Sequence, residues 1–176
     1  MNMLYNIQEI GLKVTWKLIR LGLTGFNGHL ELISYEELFD YLTDRLGINE
    51  SQDDNIIKII CEKENRFSVD SLLNYLASVE KTTEDVQYRK LRVYLLEKLL
   101  RQENRTCLQG LLELIELWAS FGYPGDCPHI FPDNVNISVQ EYFTNTNYQI
   151  MRKKNSEWLG DEIKRIVQLE KEINGV

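Results

Sequence analysis

Apolar residues recur at intervals of three and four along most of this chain, the spacing of one helical face, and no apolar–polar alternation persists beyond a few residues. The first such pattern predicts a helix over about 7–23, with Ile10, Val14, Leu18 and Leu21 on one face and Leu12, Trp16 and Ile19 on a second. Lys13, Lys17 and Arg20 form its remaining stripe, placed to face acids inside the fold. Gly22, Gly25 and Gly28 then read as a turn, and Thr24 to Ile33 is the one stretch where a short hairpin is conceivable. Ser34-Tyr-Glu-Glu37 is a capping-box pattern that opens a second helix, burying Tyr35, Leu38, Phe39, Leu42 and Leu46.

Ser51, Asp53 and Asp54 open a third helix with an Ile56, Ile57, Ile59 and Ile60 core, and Ser68 begins a fourth. Thr82 or Thr83 caps a fifth, whose apolar set from Val86 to Leu100 is wide enough to demand contact from several sides. Asn104 restarts a sixth, with Leu108, Leu111, Leu112, Ile115 and Trp118 on its buried side. Ser138 and Glu141 form a second capping box, and a long final helix follows over about 147–173. Trp16 and Trp118 each continue an aliphatic face, so both are expected in the core. All three prolines, Pro124, Pro128 and Pro132, fall in one aromatic-rich loop at 121–137. The expectation is an all-α single domain over 1–176: an irregular bundle, or a stack of antiparallel helical hairpins, of seven to eight helices.

Charge changes this picture in one place. Between Glu31 and Asp54 lie eight acids against one base, Arg45, a balance of −7 equal to that of the whole chain, and the other residues carry 19 of each sign. A lobe of this kind favours basic partners and repels nucleic acid and anionic membranes. Lys81 to Arg105 holds seven bases, four acids and two tyrosines, a mixture better read as half of internal ion pairs than as a nucleic-acid surface. No apolar run approaches a membrane span, and the first residues, interrupted by Asn2, Asn6, Gln8 and Glu9, lack a signal core. Three scattered cysteines without a Cys-x-x-Cys pair fit a reducing compartment, so a cytoplasmic location is expected.

Candidate chemistry is sparse. His129 lies two residues from Cys127, but no second pair with metal-ligand spacing exists, and neighbours so close seldom present nucleophile and base to one atom. His129 therefore reads as a loop-packing histidine. The glycines at 22, 25 and 28 lack the Gly-x-Gly start and Lys-Ser/Thr ending of phosphate loops, and the acids of the second helix lack the calcium-loop pattern. Neither a catalytic site, nor a metal, nor a cofactor is expected.

Val14-Thr15-Trp16 with Leu21-Gly22, Ile33 to Leu46 including Tyr41, the Leu91 to Leu100 helix, and Phe121-Gly-Tyr-Pro124 running on to Ile130-Phe-Pro132 together resemble a bacterial family catalogued as domain of unknown function 2247. The resemblance spans Val14 to Pro132 and departs from the pattern at Asp126-Cys-Pro-His129. It implies kinship with small immunity proteins that accompany secreted polymorphic toxins. The expected function is accordingly non-enzymatic neutralisation of a cognate, basic toxin domain by direct binding; the alternative is an intracellular helical adaptor for a host regulator or peptide. The candidate partner-binding residues are Glu36, Glu37, Asp40 and Asp44 on the second helix and, failing these, Tyr123, Asp126 and Asp133 in the loop.

Overall fold

Local signals at helix ends explain where each element starts and stops. A computed structural model describes residues 2–25, 31–48, 53–103, 105–130 and 138–175. Nine helices and no strand occur among them: α1 (Met3–Glu9), α2 (Trp16–Thr24), α3 (Tyr35–Ile48), α4 (Asp54–Cys61), α5 (Arg66–Val79), α6 (Glu84–Leu100), α7 (Cys107–Ser120), α8 (Val139–Tyr142) and α9 (Asn145–Asn174). The all-helical expectation is met. Contacts divide the chain into two compact units, Met1–Gln87 with Glu170–Val176, and Tyr88–Leu169.

In the first unit the helix expected over 7–23 is two helices. Gly11, at φ +80°, ends α1: its N–H bonds Gln8 O at 2.9 Å and the Leu12 N–H bonds Ile7 O at 3.0 Å, the paired closure that a left-handed glycine permits. Thr15 then caps α2 by accepting from Leu18 N at 3.2 Å, and the Glu80 carboxylate accepts from Trp16 N and Lys17 N at 3.2 and 3.0 Å. Gly22 is not part of a turn but lies inside α2, where an added Cβ would stand 2.8 Å from Met3 Cε and 3.1 Å from Ile33 Cγ1. Its missing side chain is what lets these neighbours close on the helix. Gly28 lies outside the described residues, as does half of the stretch considered for a hairpin.

Helix α2 packs on α5, α3 on α4, and α1 on α3, around Met3, Leu4, Ile7, Leu18, Leu38 and Ile59. Trp16, expected in this core, is only half-buried. From the cationic stripe, Lys17 donates to Thr82 O at 2.6 Å and Arg20 to Asn74 Oδ1 at 3.2 Å, so neither bond goes to the acidic stretch. Asn65, three residues before the expected Ser68, caps α5, and Thr83 rather than Thr82 caps α6 by accepting from Val86 N.

The second unit is built on a different principle. Its core joins Leu96, Leu111, Leu114, Leu117 and Trp118 to Tyr142, Tyr148 and Met151. Thr106 and Gln109 form the capping box of α7; Asn104, expected to start this helix, lies outside the described residues. Leu108 and Leu112, expected inside, are 49% and 40% exposed, because the buried face of α7 is centred on Leu111, Leu114 and Trp118 instead. Gly110 sets that face: an added Cβ would meet the Tyr148 ring at 2.3 Å. Trp118 is buried as expected, its indole N–H donating to Asn155 Oδ1 at 2.8 Å.

Candidate partner and ligand sites

The acidic residues of α3 fall into two kinds. Glu36, Asp40 and Asp44, four residues apart, are exposed on the side opposite the fully buried Leu38, Tyr41 and Leu42. Glu37 is spent on the helix start: the Ser34 N–H donates to its carboxylate at 2.8 Å and its own N–H donates to Ser34 Oγ at 3.1 Å. Asp53 caps α4 by accepting from Asn55 N at 3.0 Å. Asp44 accepts a hydrogen bond from Tyr5, and this bond, then burial and the negative charges of Asp44 and Asp40, push the Tyr5 hydroxyl up to about 12.

The two larger hollows recorded among the described residues open in the same unit. A cleft of about 510 Å³ is bounded by Arg20, Glu31, Tyr35, Arg66, Asp70 and Asn74. Its polar groups already serve one another: Tyr35 donates to Asp70, and the Arg66 guanidinium lies 4.1 Å from the Tyr35 ring centroid. Burial, then the bond to Asp70, raise the Tyr35 hydroxyl to about 12. A smaller cavity of about 220 Å³ lies against Trp16, Ile19, Tyr41, Leu42, Arg45 and Ile56.

In the second unit the loop after α7 closes with a second paired turn, Tyr123 N to Trp118 O at 3.0 Å and Gly122 N to Ala119 O at 2.9 Å. Tyr123 itself holds φ +51° and is half exposed, a left-handed setting that costs a non-glycine residue about 1–2 kcal/mol. Asp126 points the other way, pairing with Arg92 at 3.0 Å. Arg92 and Arg89 converge on the buried Glu162 at 3.4 and 2.7 Å, with the Arg92 guanidinium 5.5 Å from the Trp158 ring centroid. Together with the Arg101–Glu97 and Arg105–Glu113 pairs, these contacts place much of the basic Lys81 to Arg105 stretch in internal ion pairs. His129 is a buried packing residue whose Nε2 lies 2.6 Å from Tyr142 Oη, and burial lowers it to about 4. The Cys127 thiol meets the His129 carbonyl at 3.9 Å rather than the ring, and burial pushes it up to about 11, so it is a poor nucleophile at neutral pH.

The seven predicted residues are drawn from both units. Glu36, Glu37, Asp40 and Asp44 belong to the first unit, Tyr123 and Asp126 to the second, and Asp133 lies outside the described residues. No group of three or more His, Cys, Asp or Glu side chains is arranged to hold a metal among the described residues, and no helix there is long and apolar enough to cross a membrane. Sequence reasoning counted Arg45 only as the lone base among acids and passed over its i, i+4 relation to Tyr41. That relation was the available signal, because it puts a cation beside an aromatic on the inward side of the helix.

A model of a family described as uncharacterized proteins conserved in bacteria, domain of unknown function 2247, matches residues 5–163. The chain belongs to this family. The match extends the resemblance from Val14 to Pro132 outward in both directions, through most of α9, so the domain of unknown function 2247 pattern takes in residues of both units. No curated protein and no solved structure matches the chain.

Proposed function

We propose that this protein is a non-catalytic binding protein of the immunity type, which neutralises a cognate bacterial toxin domain by covering it. The observation that carries this reading is the outward side of α3. Glu36, Asp40 and Asp44 are exposed in a row within the Glu31 to Asp54 stretch, outside which the chain's charge is balanced, and repulsion at four-residue spacing costs an isolated helix roughly 0.2–0.5 kcal/mol per pair. An undispersed negative row of this kind accelerates association with a basic surface. Exposed, backbone-strained Tyr123 is a second point at which a partner would find a rigid aromatic anchor.

The test begins with the gene beside this one. A toxin-like reading frame there supplies the partner, whose association with the protein is then timed at low and high salt. The Glu36→Gln, Asp40→Asn, Asp44→Asn variant should associate more slowly and lose part of its salt dependence. An unchanged rate at both salt concentrations would remove α3 from the interface, and absence of binding to that partner would remove the immunity reading. The adaptor reading is favoured by one observation, the exposed Phe67, Tyr75 and Val79 along α5, 83%, 61% and 58% accessible. It predicts that Phe67→Ser, and not the acidic triple variant, weakens capture of a partner.

A further inference from the structure

Helix α5 turns a continuous uncharged face outward. Val69, Leu73, Leu76 and Ala77 bury its inner side within the first unit, and Phe67, Ser71, Asn74, Tyr75, Ser78 and Val79 are exposed on the other. None of these six carries a charge, so two chains of net charge −7 can meet across this face without opposing like charges on it. Several of its polar groups are already bonded within the chain. Ser71 Oγ donates to Phe67 O at 2.8 Å, Ser78 Oγ donates to Tyr75 O at 2.7 Å, and Asn74 Oδ1 accepts from Arg20 at 3.2 Å. Covering the face leaves neither serine hydroxyl without an acceptor, which removes part of the usual cost of burying polar atoms.

The order of the side chains then decides what fits. Phe67, Ser71, Tyr75 and Val79 stand four residues apart and so form one ridge of the helix, the kind that interdigitates with its like when two helices cross at about −50°. In an antiparallel pair centred on Leu73, Phe67 of each copy meets Val79 of the other, and Tyr75 meets Ser71. Each ring is set against a smaller side chain. A ridge that alternates large and small about its own midpoint is complementary to itself under a twofold axis, as a contact between identical surfaces requires. Phe67, Tyr75 and Val79 expose roughly 400 Å² per copy, and with the three polar residues a pair covers about 1,000 Å² in total, the lower bound for a specific interface. That area fits weak, concentration-dependent association rather than an obligate dimer.

We propose that the outer face of α5 is a self-association surface, on which a second copy of this chain packs its own α5 antiparallel. The inference concerns α5 alone and stands apart from the reading of the acidic row on α3. It gives Phe67, Tyr75 and Val79 an occupant different from the peptide of the adaptor reading.

Sedimentation velocity of the full chain, from micromolar to near-millimolar concentration, tests it. The sedimentation coefficient should rise from that of a monomer to that of a dimer. Added salt should hold or strengthen the dimer, because screening lowers the repulsion between two acidic chains while the contact itself contains no ion pair. Phe67→Ser and Ser71→Tyr should each weaken it about tenfold or more, with the thermal midpoint of dilute protein unchanged, since both side chains stand in solvent in the single chain. Phe67→Val should also weaken it, and adding Val79→Phe should restore it, because the double exchange regenerates the same Phe–Val contact in the antiparallel pair. A chain that stays monomeric over the whole range overturns the proposal and leaves α5 to a partner of another kind. So does a dimer that Phe67→Ser and Ser71→Tyr leave as tight as before, or an exchange that restores nothing.

Discussion

The two units handle charged groups in different ways. In the second, charge is taken inside: Glu162 is nearly inaccessible and holds both Arg89 and Arg92, the latter also against Asp126 and Trp158, while His129 and Asn155 sit buried on Tyr142 and Trp118. In the first, Glu37 and Asp53 sit at helix starts, Glu36, Asp40 and Asp44 on the outer side of α3, and the hollows described above have charged rims. A buried, mutually satisfied network specifies one arrangement and tolerates little change, whereas surface charge and open space leave a region free to be altered by selection for binding. The second unit therefore reads as the rigid part and the first as the adaptable one.

That contrast is broken most directly at Trp118. Trp118→Ala removes a fully buried indole and leaves Asn155 Oδ1 without its donor, and should cost about 3–5 kcal/mol in chemical denaturation. A loss below about 1 kcal/mol would show that the second unit is not tightly packed. Next comes Glu162→Gln. A buried and a part-buried guanidinium lose their shared anion, and the expected cost is about 3 kcal/mol, the lower end for breaking a buried pair because Gln still accepts a hydrogen bond.

Acid stability sharpens the comparison further. His129 is held neutral in the folded protein, lowered from 6.5 to about 4 by burial, so the unfolded chain takes up the proton first. Stability is complete above pH 6.5 and declines as pH falls toward 4, by on the order of 3 kcal/mol from this residue. In His129→Gln that part of the acid limb should disappear from urea midpoints measured across the interval; an unaltered slope would assign it to carboxylates.

Some of this contrast was legible in the chain and some was not. The helices were legible because their signals are local: spacing of apolar residues, and caps such as Ser34 with Glu37 and Ser138 with Glu141 that act within one turn. The break at Gly11 was missed because the apolar pattern of 7–23 runs straight across it, and a left-handed glycine leaves no trace in hydrophobic periodicity. Leu108 and Leu112 were assigned inward because α7 is apolar on too many sides for composition to choose a face; Gly110 chooses it, through a contact with a residue nearly forty positions away. Site residues fared likewise. The exposure of Glu36, Asp40 and Asp44 follows from the helical wheel, but the cavity of Tyr41 and Arg45 depends on α2 and α4 arriving beside α3, which is tertiary information.

The smallest effect expected is on the outer side of α3. Replacing Glu36, Asp40 and Asp44 by their amides should leave stability unchanged or raise it by a few tenths of a kcal/mol through relieved repulsion, read from the thermal midpoint. A clear loss would show that these acids support the first unit, as the bond from Tyr5 to Asp44 allows for one of them.

The seat of the Tyr148 ring on Gly110 has a consequence for how this fold can vary through descent. Sliding α7 by one turn along its neighbour would carry the ring from a residue without a side chain to Leu114 or to the Thr106 cap, about 5.4 Å away, so the pair of helices has a single setting. Positions 110 and 148 then behave as one inherited character. A larger residue at the first is survivable only in a lineage that has already given up the ring at the second, and every relative that keeps the ring should keep the glycine.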